Sequence, residues 1–191
     1  MSLKNFKPKL WFPVLIILAI ASICSIATYA QQVIDEESTR LIREYTTSEK
    51  FLSPLVDHLP DSDEVPSPRE VLGYVVGTPE KLTYYEDIIR YMKTLSEKSP
   101  AVELFPIGLT DEGRTLYIVA ISDPQTINDL ERYKKFTAAL ADPRLTTEEE
   151  AQEIIAQAKP MYWITCNLHS SENGSAEMSM ELAYRLAVSE E

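Results

Sequence analysis

The residues best placed to do chemistry lie together in Met161-Tyr162-Trp163-Ile164-Thr165-Cys166-Asn167-Leu168-His169-Ser170-Ser171-Glu172-Asn173-Gly174. His169 is followed three positions later by Glu172. A neutral imidazole and a carboxylate are both good ligands for Zn²⁺, and a catalytic zinc takes three protein ligands and leaves a fourth position for water. The competing reading of a bare His-x-x-Glu is a hydrogen-bonded histidine at a strand end beside a solvated loop acid. Entered from Lys159-Pro160, the first half of the stretch is rich in aromatic and branched side chains and reads as a strand buried on both faces. The second half is polar and turn-forming. The pair is therefore expected at the carboxyl edge of a sheet, where open α/β sheets bind ligands.

Other elements must position that edge. Thr83-Tyr84-Tyr85-Glu86 has the pattern of a capping box, and Tyr84, Ile88, Tyr91, Met92 and Leu95 recur at helical spacing until Ser99-Pro100 stops the helix. Residues 102–107 and 115–121 read as two strands of an antiparallel hairpin, joined by a polar segment with Gly108 at one end and Gly113 near the other. Two helices should follow. The first is capped by Asn128, with Glu131 in its opening turn, and ends at Asp142-Pro143; the second is capped by Thr147 and Glu150. Glu148, Glu149 and Glu150 suit the first turn of a helix through its dipole and are not metal candidates. A last helix spans 176–188, with Met178, Leu182, Ala183 and Leu186 as its expected buried stripe.

The string from Tyr162 to Met178 resembles the first zinc-binding segment of the carboxypeptidase A-like zinc metallopeptidases. The order upstream is similar too: a helix, then a hairpin carrying Gly108-Leu109-Thr110-Asp111-Glu112-Gly113-Arg114, then the strand leading to His-x-x-Glu. The resemblance implies an α/β fold, a mixed sheet flanked by helices, of which this chain holds the amino-terminal part. It implies hydrolysis of peptide bonds at the carboxyl end of a peptide or protein substrate, Zn²⁺ as cofactor, and His169 and Glu172 as the first two metal ligands. In the family the third ligand, the general-base glutamate and the substrate-anchoring arginine and tyrosine lie further along the chain, so no catalytic residue is assigned here. Ser171 stands where many members have arginine, and the two-helix insert suggests a divergent branch.

Local residues are poor substitutes for the third ligand. Cys166, three before His169, points to the opposite face of a regular strand. His58 would have to fold back, and Glu177 lies a helical turn too far along. The expectation is a truncated or split enzyme, inactive alone, with a missing carboxyl-terminal half as partner. The alternative is a non-catalytic exported or membrane-tethered binding module that keeps half of the fold.

Residues 1–30 have a separate character: Lys4, Lys7 and Lys9, an apolar run over 10–26, then Thr28-Tyr29-Ala30. This is the order of a secretory signal peptide cleaved after Ala30. An uncleaved anchor through residues 10–26 is the second reading and a lipid-modified Cys24 the third. The expected location is periplasmic or extracellular. Residues 31–79 read as an acidic, proline-interrupted lead-in arm over the domain surface, and 80–191 as the catalytic-domain portion. A net charge of −12 excludes nucleic acid as a partner, because no basic surface is on offer for phosphates. With Cys24 in the leader, Cys166 is the one cysteine of the mature chain, so a disulfide scaffold is excluded.

Overall fold

The computed structural model describes residues 32–189. The leader or anchor expected over residues 1–30 lies outside them. The fold is α/β, with helices packed around a two-stranded antiparallel sheet. Helices α1 (Glu36–Tyr45) and α2 (Pro68–Leu72) precede α3 (Tyr85–Lys98), followed by strands β1 (Val102–Leu109) and β2 (Thr115–Ile121). Helices α4 (Pro124–Asn128), α5 (Leu130–Ala141), α6 (Glu148–Ile155) and α7 (Asn173–Val188) complete the order.

Helix α3 is the central element. Tyr91 and Met92, about one turn before Leu95, share a face with it, and all three are buried with Val102 of β1 and Met180, Ala183 and Tyr184 of α7. Burying a side chain such as Leu95 stabilises by about 1.5–3 kcal/mol. Tyr84, expected on this stripe, is the N-cap residue and is exposed. The capping box expected from Thr83 does not form. Thr83 bonds instead through its hydroxyl to the Tyr74 hydroxyl at 2.9 Å, and its backbone N–H donates to Glu177 Oε1 at 2.7 Å. Tertiary partners have taken both groups that the local motif would have used.

The hairpin forms as expected, in the register Val102↔Ile121 to Leu109↔Thr115, with a bulge between Pro106 and Gly108. Its turn closes through Thr110 N–H to Arg114 O at 2.8 Å and Gly113 N–H to Thr110 O at 2.9 Å. Gly113 takes the left-handed conformation (φ 78°) that this closure requires. Arg114 ends the turn, paired with Glu112.

The lead-in arm is embedded more deeply than a surface arm. Leu59 and Val65 belong to the core, and an antiparallel bridge joins Ile34 to Pro60. The aromatic rings of the core carry their polar ends to this arm: Tyr91 donates to Pro66 O at 3.3 Å and Tyr184 to Pro60 O at 2.9 Å. Helix α1 begins at Glu36 because Asp35 caps it, accepting from Ser38 N at 2.8 Å.

Three further expectations are corrected. Asn128 ends the short helix α4, which Asp123 caps, and Asp129 precedes α5. The expected stripe of α7 is rotated: Met180, Ala183 and Tyr184 are buried while Met178 and Leu186 are exposed. Apolar residues surround most of this helix, so periodicity alone offers two faces, and contact with α3 selects one. Finally, residues 161–167 form no strand, and Met161, Tyr162, Trp163, Ile164 and Leu168 are exposed. A strand needs a paired edge, and the described residues pair β1 only with β2.

Candidate functional site

The chain leaves its extended course at Asn167, whose φ of 57° is left-handed. Asparagine tolerates this conformation better than most residues with a Cβ. His169 O then accepts from Glu172 N at 3.0 Å, closing one turn through Ser170 and Ser171. Glu172 is the N-cap residue of α7, but its carboxylate makes no cap bond. It faces the imidazole instead: His169 Nδ1 lies 2.8 Å from Glu172 Oε1. The two residues singled out in the sequence are thus brought together, and both are solvent-accessible, with side-chain exposures of 68% and 56%.

Ser175 fixes the turn from below. Its Oγ accepts from Asn167 N at 2.9 Å and lies 3.2 Å from Glu172 O and 3.4 Å from Asn167 Oδ1. Sequence reasoning missed this role. The signal was available in a serine placed in the first turn of a helix, directly after Asn173-Gly174. Glu177, two residues further on, turns the other way and is buried against the entry of α3 through Thr83.

The remaining sequence candidates do not join the pair. His58 Nδ1 is 2.8 Å from Asp57 Oδ1, and its carbonyl accepts from Arg185 near the end of α7. Arg185 lies thirteen residues beyond Glu172, so the helix rise of 1.5 Å per residue puts His58 roughly 20 Å from the pair. Cys166 is half-buried in the unpaired segment and bonds nothing near His169. Glu148, Glu149 and Glu150 open α6, where Glu150 completes a capping box with Thr147. Bonds from the backbone and hydroxyl of Thr147 hold the Glu150 carboxyl below its usual range. A cleft of about 560 Å³ between α3 and β2 is lined by Tyr85, Arg90, Lys93, Arg114 and Tyr117 and includes no residue of the 161–175 stretch.

The donor set admits zinc in part. Imidazole Nδ1 and carboxylate Oε1 lie in direct contact, and donors around a tetrahedral zinc at about 2.0–2.1 Å stand roughly 3.3 Å apart. The observed 2.8 Å needs only a small parting of the two groups. Among the described residues no third histidine, cysteine, aspartate or glutamate lies close enough to complete a cage. A family model described as zinc carboxypeptidase matches residues 88–191, more than half of the 191-residue chain. No curated protein matches the chain, and no solved structure does.

Proposed function

The chain belongs to the zinc carboxypeptidase family, and from that premise we propose that His169 and Glu172 are two of its zinc ligands, acting on peptide or protein substrates. The observation that carries this is the 2.8 Å approach of Nδ1 and Oε1 at the end of the extended segment. Bound zinc supplies Lewis-acid polarisation of a scissile carbonyl and an acidified water. The chain's own contribution is positional. The His169–Glu172 turn presents two donors to solvent, the left-handed Asn167 aims the turn, and Ser175 ties its two sides together.

With no third donor beside them among the described residues, the pair is a weak zinc site and this chain does not turn over peptides alone. The same observation favours a second reading, a non-catalytic binding module that retains the peptidase fold. Both readings take the protein to be exported, with anchoring through residues 10–26 as the alternative. Zinc titration of the purified chain, with assay of amino acids released from peptide carboxyl ends, tests the proposal. Weak zinc uptake that His169→Ala and Glu172→Gln each abolish is the expected result, with no amino acid released. Uptake unaffected by His169→Ala would remove the assignment. Tight stoichiometric zinc with turnover would overturn the inactivity.

A further inference from the structure

The geometry points to Ser175 as a positioning residue for the His169–Glu172 pair, an inference that rests on the ligand reading above. Among the described residues its hydroxyl is the one side-chain group that touches the backbone on both sides of the motif. Upstream it accepts from Asn167 N, two residues before His169; downstream it lies within reach of Glu172 O. The donor of one ligand and the donor of the other are therefore referred to a common atom. The Nδ1-to-Oε1 approach depends on the relative placement of two backbone segments that Ser175 Oγ holds together.

A clip of this kind works only if its own base is fixed. Ser175 and Glu177 are two residues apart on a helix, which turns their side chains about 200° from one another. Ser175 faces the turn, and Glu177 faces inward, 8% exposed, with its Oε1 on the backbone N–H of Thr83 at 2.7 Å. One turn further, Met180 is fully buried in the core. The first turns of α7 thus transmit the position of the core to an exposed turn through one buried carboxylate and one hydroxyl. This also accounts for the absence of a side-chain cap bond from Glu172. The Ser175 hydroxyl secures the turn preceding the helix and leaves the Glu172 carboxylate for His169.

Replacement of groups that orient metal ligands typically weakens binding 10–100-fold. The test compares the full chain with Ser175→Ala and Ser175→Thr, using two readouts. One is zinc affinity followed at the His169 ring signals by NMR. The other, made without metal, is the nuclear Overhauser contact between the His169 ring and the Glu172 side chain. Ser175→Ala should weaken zinc at least tenfold and remove the contact while the thermal midpoint stays near that of the parent; Ser175→Thr, which keeps a hydroxyl, should restore both. A Ser175→Ala protein that keeps the contact and the affinity overturns the positioning role. Absence of zinc response at His169 in the parent chain overturns the ligand reading instead, and the metal-free contact still decides the role of Ser175.

Discussion

A histidine and a glutamate this accessible contribute little to stability by touching, since exposed ion pairs are worth about 0–1 kcal/mol. The strain nearby is larger. Asn167 occupies a left-handed conformation that costs most residues about 1–2 kcal/mol. Asn167→Val, β-branched and intolerant of that φ, should lower unfolding free energy by a similar amount in urea titration, whereas Asn167→Gly should be nearly neutral. Equal effects from the two would show that the conformation is not a constraint. The sequence carried the pair legibly because His-x-x-Glu is a local signal. It did not carry Ser175 or Glu177, whose partners are set by the fold: Ser175 reaches back eight residues, and Glu177 reaches Thr83, ninety-four residues away.

At the level of elements, local chemistry was read correctly where nothing competed for the groups involved. Thr147 and Glu150 form their capping box on an exposed helix with no buried residue. Thr83 and Glu86 do not, because Tyr74 and Glu177 claim Thr83. Thr147→Ala should therefore cost α6 about 1 kcal/mol. Because α6 adds nothing to the buried core, the loss should appear as faster amide exchange over residues 148–155 with the global urea midpoint almost unchanged. A matching fall in that midpoint would mean that α6 unfolds with the core. The hairpin was legible for the same reason as α6, its turn chemistry being self-contained from Thr110 to Arg114. Residues 161–167 were misread as a buried strand because composition reports a demand for cover and not whether cover is present. An uncovered apolar segment with free backbone groups is also a template for association between chains.

Across the whole molecule, the amino-terminal arm is tied in by charge as well as by its apolar residues. Asp35 caps α1 and pairs with Arg69 of α2 at 3.3 Å. Burial works against its charge, yet hydrogen bonds from the side chain and backbone of Ser38 and from Arg69, with the Arg69 charge, outweigh it and hold the carboxyl below its usual value of 3.8. The unfolded chain then takes up this proton first as pH falls. Stability from Asp35 is complete above about pH 4 and is lost as the pH drops through the depressed native value. Asp35→Asn keeps a capping oxygen and removes the titration. The acid limb of stability against pH should become shallower, measured by urea unfolding at a series of pH values. An unchanged limb would place the acid sensitivity elsewhere.

The contacts between this arm and the last helix span very long stretches of chain. Tyr184 reaches Pro60 across 124 positions, Arg185 reaches His58 across 127, and Gln32 reaches Val188 across 156. Such non-local closure slows folding relative to a helical protein of local contacts. On the ribosome, at about 5–20 residues per second, Pro60 waits roughly 6–25 s for Tyr184 to be made. For that interval Leu59 and Val65 can dock on α3 but lack the α7 side of their core, so the nascent arm stays partly uncovered and is a place for a chaperone to act.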